Sequence, residues 1–427
     1  MPTFFRICCL LCCVHVLAAQ TPSPAPAQNG PILIMGAIAH LGNGNLIPNS
    51  AIAFENGKIT MVADATTIRY DRTKYAKIFD ATGKHVYPGF IATNTSVGLI
   101  EIDAVRATQD NAENGIFNPN ARAIIAYNAD SEIPPTLRTN GILMAQTCPE
   151  GTTIAGTSAV VQLDAWNWED ALIKEDGVHL NWPAQRRFGG FGGGGTPGMS
   201  KNEGYDKEVQ ALKQFFSEAR DYLQNPAPTT INLKFEALRP LFEQKANLYL
   251  HTDQAKTIEE SVLFAEQFKV KPVIAAGDDV WKVAGFLKAH QVPVLLPVAQ
   301  RLPASDDEDI DQPYKTARQL YEAGVQFAFT DRGSWRQHNL PFQAGQSVGA
   351  GLPYEIAVRA LTLDAATILG IEKTTGSLEA GKDATLFISE GDALDMRSCI
   401  VTAAFIQGRQ IDLDNRHKRL ARKFGPK

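Results

Sequence analysis

The sequence predicts an α/β protein, a (βα) barrel flanked at both ends of the chain by β-rich segments. Two patterns carry this. Between Leu248 and Leu363, short apolar runs alternate with segments whose apolar residues recur at helical spacing, the signature of a parallel sheet covered by helices. Strand-and-turn texture occupies Pro31 to Phe79 and returns after Ala384. At 427 residues and 44% hydrophobic, the chain is long enough for a large core and too long for one small domain.

The first 19 residues read as an export signal. Arg6 supplies a positive start, Ile7 to Leu17 an apolar run, and Leu17-Ala18-Ala19 small residues for cleavage. The run is shorter than the ~20 residues of a membrane-spanning helix. Cys9-Leu10-Leu11-Cys12 is a poor lipobox. Residues 20–30, rich in Pro and Ala, read as a linker. An exported protein, periplasmic or secreted, with no transmembrane span is expected.

Ile32-Leu33-Ile34, Ser50 to Phe54 and Lys58 to Val62 are β-rich, with Gly42-Asn43-Gly44 and Glu55-Asn56-Gly57 as hairpin turns. Four βα units then follow. Leu248 to Leu250 precedes a helix at Ile258 to Phe268, and Pro272 to Ala276 precedes one at Val280 to Ala289. Pro293 to Leu296 precedes Tyr314 to Ala323, and Val325 to Phe329 precedes Tyr354 to Leu363. Four consecutive units favour a barrel over an open sheet. Ala384 to Ile388, Ile400 to Ile406 and Gly408 to Ile411 are strands again, before a basic tail. The Gly-rich stretch Phe188 to Gly198 reads as a flexible loop or a lid over the barrel mouth. The acidic stretch Ser305 to Asp311 lacks EF-hand spacing and reads as a solvated loop.

Net charge is -5, with no large basic patch in the body, which argues against nucleic acid as a partner. Four of six cysteines lie in the export signal; Cys148 and Cys399 alone make no disulfide framework.

Lys84 to Ile91 (Lys-His-Val-Tyr-Pro-Gly-Phe-Ile) resembles the entry into barrel strand one of amidohydrolases. Leu361 to Gly370 and Gly376 to Leu386 resemble that family's C-terminal signature. The likeness is to imidazolonepropionase-like amidohydrolases and covers nearly all of Pro31 to Ile411. It implies a (βα)8 TIM-like barrel over residues 88–371 and a small β-sandwich built from residues 31–87 and 372–412. It also implies hydrolysis of a C–N bond by water on one or two divalent metals, usually zinc, at the C-terminal face of the barrel.

The implied ligands are only partly present. After Pro88-Gly89-Phe90-Ile91, the family's Asp-x-His-x-His reads Ala92-Thr93-Asn94-Thr95-Ser96. Asn94 and Ser96 fill the histidine slots, and a carboxamide or hydroxyl is a far weaker zinc donor than imidazole. His251 stands at the strand-five ligand position and Asp331 at the catalytic, metal-binding aspartate after strand eight. Strand six, Val273 to Gly277, has no histidine, and Lys234 and Glu236 read as surface residues rather than strand-four ligands. At most one metal site is expected. Arg106, His179 and His338 are candidate substrate contacts, each against a plainer reading as a loop salt bridge or a structural or surface histidine. Trp166, Asn167 and Trp168 serve either a ring ligand or packing.

Two functions remain open: a metal-dependent hydrolase of amide or cyclic amide bonds with a reduced site, and a non-catalytic descendant that binds a small molecule or partners an active paralogue. A homo-oligomer is compatible with either.

Overall fold

The computed structural model describes residues 24–189, 198–225, 230–275, 277–297, 299–304 and 308–425. The segment read as an export signal, most of the Gly-rich stretch and residues 305–307 of the acidic stretch lie outside the described residues.

Five strands open the chain: β1 (Ile32–His40), β2 (Leu46–Glu55), β3 (Lys58–Asp64), β4 (Lys77–Asp80) and β5 (His85–Pro88). Then come β6 (Phe90–Thr95), β7 (Ile142–Thr147), β8 (Ile154–Gln162), β9 (Leu172–Asn181), and the hairpin of β10 (Arg186–Gly189) and β11 (Gly198–Lys201). They are followed by β12 (Asn247–His251), β13 (Lys271–Ala275), β14 (Val294–Leu296) and β15 (Phe327–Phe329). The chain closes through β16 (Leu386–Ser389), β17 (Val401–Ile406) and β18 (Arg409–Gln410).

The expected strands at the two chain ends are present, and they hydrogen-bond into one continuous eight-stranded sheet. β1 sits at its centre. Its first half pairs with β4 and its second with β5. β16 pairs antiparallel with β5 in the register Tyr87↔Phe387, so the last strands complete a sheet that the first strands begin.

The second eight-stranded sheet runs in the order β15-β14-β13-β12-β9-β8-β7-β6. Its ends meet at a parallel bridge between Thr93 and Thr330. Two side-chain bonds lock that seam: Thr93 Oγ1 donates to Phe329 O at 3.0 Å, and Thr330 Oγ1 to Thr93 O at 2.6 Å. The βα units expected after Leu248 are all found, with helices at Ala255–Gln267, Ala284–Ala289, Gln312–Glu322 and Tyr354–Leu361.

The barrel departs from pure (βα)8 order in one place. β8 runs antiparallel to both β7 and β9. The connections explain why. Only Cys148 to Thr153 separates β7 from β8, and one helical turn, Trp168–Ala171, lies between β8 and β9. A parallel return needs a crossover of about a dozen residues or more. The other strands share one direction, so the ends of β6, β7, β9, β12 and β15 open onto one face.

The barrel interior is divided by polarity. Ile91, Met144, Val160, Val273, Leu295 and Ala328 pack with Ala365, Ile368 and Leu369 of the helix Leu363–Leu369 into an apolar cluster. Polar side chains occupy the part nearer the open face. The sheet joins the barrel at Gly89, where a Cβ would lie 2.9 Å from Thr385 Cγ2 and 3.0 Å from the Leu143 side chain. Next to it Phe90, fully buried, meets the Phe387 ring edge-on at 4.9 Å, and Phe387 stacks on Tyr87 at 5.2 Å. Among the described residues no helix is long and apolar enough to cross a membrane.

Phe90→Ala should therefore cost about 3–5 kcal/mol of folding stability, measured by urea unfolding. A loss under about 1 kcal/mol would show that the junction packs independently of this ring.

Candidate active site at the barrel mouth

The C-terminal ends of the strands enclose a polar pocket of about 440 Å³, lined by Asn94, Thr95, Cys148, Asn181, His251, Arg332 and the Pro149–Gly151 turn. This is where barrels of this kind carry their sites. A larger hollow of about 630 Å³, lined by Lys174, Asn247, Lys271 and Pro272, lies at the other ends of the strands.

Asn94 ends the regular part of β6 in the left-handed region, at φ 50°, a conformation asparagine tolerates better than most residues. Its N–H donates to Gln146 Oε1 at 2.8 Å. Gln146 Nε2 in turn donates to Asp176 Oδ2 at 2.7 Å. Asp176 is fully buried and also accepts from Tyr249 OH at 2.5 Å and Ser158 Oγ at 2.9 Å. One carboxylate thus gathers side chains from β7, β8 and β12, and through Gln146 holds the turn of β6. Burial pushes its pKa up to about 6, against the pull of those three donors.

His251, at the end of β12, shares a hydrogen bond of 2.8 Å from its Nε2 to Nδ1 of His179 on β9. The His179 ring stacks on Tyr249, centroids 4.6 Å apart. His179 is therefore neither a surface residue nor a loop contact; it is fully buried inside the barrel, where the β9–β12 register sets it beside Tyr249. Burial, and then the positive charge of Arg332, hold its pKa down to about 3. Burial, His179 and Arg332 depress His251 as well. Both rings are neutral near pH 7.

Arginines approach both implied ligands. Arg332 Nη2 lies 3.2 Å from His251 Nδ1. Asp331 is buried and receives Arg336 through Nη2 and through Nε at 3.1 Å, while Gln337 donates to its carbonyl. Burial raises the Asp331 pKa, and Arg336 opposes the rise. Among the described residues, no three His, Cys, Asp or Glu side chains converge as a metal-holding group.

The other sequence candidates lie apart from this pocket. Arg106 is exposed and donates to Gln109 O within its own loop. His338 bonds Trp335 O, and its carbonyl accepts from Asn140. Ser96 is buried, its hydroxyl without a partner among the described residues, and its N–H donates to Gly333 O at 3.2 Å. Trp166 is exposed, and Trp168 packs against the core. Lys234 and Glu236 lie on a helical turn, where Glu236 pairs with Arg239. Asp278 and Asp279, beyond strand six, pair with Arg301 and Lys282. Cys148, which does line the pocket, and Cys399 are free thiols. Burial raises the Cys148 thiol well above its usual range, which makes it a poor nucleophile.

Sequence reasoning missed Gln146, Asp176 and Tyr249. Asp176 follows Lys174-Glu175, and a charged triplet looks like a turn. The one available signal was its adjacency to the apolar alternation of Val178 and Leu180.

The amidohydrolase family model matches residues 288–411, the stretch that carries strands β14 to β18. No curated protein matches the chain. Among solved structures it is similar to an amidohydrolase from Thermotoga maritima (21% identity, TM-score 0.74, covering 89% of this chain and 99% of that one). It is also similar to a molinate hydrolase (16%, TM-score 0.55, 90% and 95%). A third is an adenosine deaminase from Xanthomonas campestris with bound zinc (16%, TM-score 0.52, 90% and 93%). The family match covers the C-terminal part of the chain, and the likeness to the solved structures shows that the rest shares their fold.

The carboxyl of Asp176 gives a pH test. Its folded pKa, about 6, exceeds the ordinary carboxyl value of 3.8. A raised pKa stabilises the fold at low pH, and that contribution fades as pH climbs through the folded value. The stability of the native protein relative to Asp176→Asn should fall by about 2–3 kcal/mol between pH 4 and pH 7. A constant difference across that range, by denaturant titration, would show that Asp176 ionises normally.

Proposed function

We propose that this chain is an exported, imidazolonepropionase-like member of the amidohydrolase superfamily whose barrel mouth binds a small molecule without metal-activated hydrolysis. The observation that carries this reading is the placement of two guanidinium groups. Arg332 sits on His251 and Arg336 on Asp331, the two residues that match the family's metal-binding positions.

A cation site needs lone pairs facing a common point. Here Nε2 of His251 is engaged by His179, and its Nδ1 faces a permanent positive charge. The Asp331 carboxylate is partly neutralised by Arg336. Two unit charges of like sign 4 Å apart repel by about 4 kcal/mol at an effective dielectric constant of 20. A divalent ion at this place would meet that repulsion, with Asn94 and Ser96 as weak donors where imidazoles are expected. The residues present do not fit a binuclear centre.

The hydrolase alternative draws on one specific feature: Arg332 is exposed and the Arg336 side chain is 66% exposed, so either arm is free to swing away. One experiment separates the two readings. The mature protein, purified without chelator and then supplemented with Zn²⁺ or Mn²⁺, should retain well under one equivalent of metal and hydrolyse no member of an N-acyl amino acid and cyclic amide panel. Stoichiometric metal together with turnover that Asp331→Asn abolishes would establish the hydrolase instead.

A further inference from the structure

We propose that the barrel mouth is a carboxylate site, in which the Arg332 guanidinium and the Asn94 carboxamide take up the oxyanion of a small organic acid. The inference deepens the metal-free reading above and rests on it.

The backbone sets these two residues side by side. The bridge between Thr93 and Thr330 lies just before them, and the Ser96 N–H to Gly333 O bond lies just after. Asn94, near the end of β6, and Arg332, in the loop after β15, are thereby bracketed side by side, and both line the pocket. Arg332 is exposed there, and its guanidinium has no carboxylate partner among the described residues; its contact is the ring of His251. That contrasts with the arginines around it. Arg336 is held by Asp331, Arg301 by Asp278 and Glu308, and Arg122 by Glu175. Asn94 is 5% exposed, and its Nδ2 finds no acceptor among the described residues. A buried donor left unmade costs about 1–3 kcal/mol, so an acceptor supplied by a ligand would recover that loss.

The chemistry of the missing partner follows. A charged, forked donor and a neutral N–H donor on one wall together match a carboxylate, whose two oxygens accept several hydrogen bonds. Glu150, on the same pocket, is occupied by Asn111 Nδ2 at 2.9 Å, and its charge disfavours ligands with several negative groups. A monocarboxylate with a neutral remainder is the class that fits a pocket of about 440 Å³.

The test compares two nearly isosteric probes, N-acetylglycine and N-acetylglycinamide, by calorimetry on the full mature protein. The acid should bind at least tenfold more tightly. Arg332→Gln should erase that preference, Arg332→Lys should keep part of it, and Asn94→Ala should weaken the acid several-fold while leaving the amide unchanged. Equal affinity for the two probes, no binding of either at millimolar concentration, or a preference that survives Arg332→Gln would overturn the proposal. Circular dichroism of each variant separates lost binding from lost fold. A metal-loaded, turning-over protein would sink the underlying metal-free reading; equal probe affinity in a metal-free protein sinks the carboxylate assignment alone.

Discussion

A single buried carboxylate organises the upper half of the barrel. Asp176 accepts from Gln146, Ser158 and Tyr249, and these residues come from β7, β8 and β12. Buried polar networks of this sort are favourable only when every member is satisfied. The constraint propagates outward. Gln146 has its carbonyl free to hold the Asn94 N–H, which fixes the turn that ends β6. Tyr249, anchored by its hydroxyl, offers its ring to His179, and His179 positions His251. Gly177 makes room for that ring: a Cβ there would approach Tyr249 Cε2 to 2.6 Å.

The reversed strand β8 belongs to the same account. A tight β7–β8–β9 meander carries Ser158 into contact with Asp176, three strands woven with short loops. The N-terminal part of the barrel is filled by apolar contacts with the helix Leu363–Leu369, so the polar layer has an apolar floor and faces the mouth. Burial in that layer explains why both histidines are held neutral and why Asp176 titrates high. A low-dielectric environment penalises whichever form is charged.

Legibility from sequence differed between the two halves of the barrel for a physical reason. The units from β12 to β15 are short apolar strands separated by helices with clear spacing, and each appears where the periodicity places it. The strands β7 to β9 carry Gln146, Ser158, Asp176 and His179 inside the barrel. Their polar residues satisfy one another across strands far apart in sequence, a pairing no local pattern reveals. His251 and Asp331 were visible because each follows a recognisable strand. Their arginine partners were not, since a guanidinium five residues on, or across the barrel, is indistinguishable in sequence from a solvated one.

The sequence by itself determined the alternation of elements, the β-rich ends and the absence of imidazoles at Asn94 and Ser96, because periodicity and residue identity are local properties. The tertiary structure alone decided that the two chain ends share one sheet, that β8 runs backwards, that His179 lies inside and that Arg332 and Arg336 rest on His251 and Asp331. Those outcomes depend on closure of the barrel between Thr93 and Thr330, which brings together residues more than two hundred positions apart. Distance along a chain carries no information about such contacts until the core has packed.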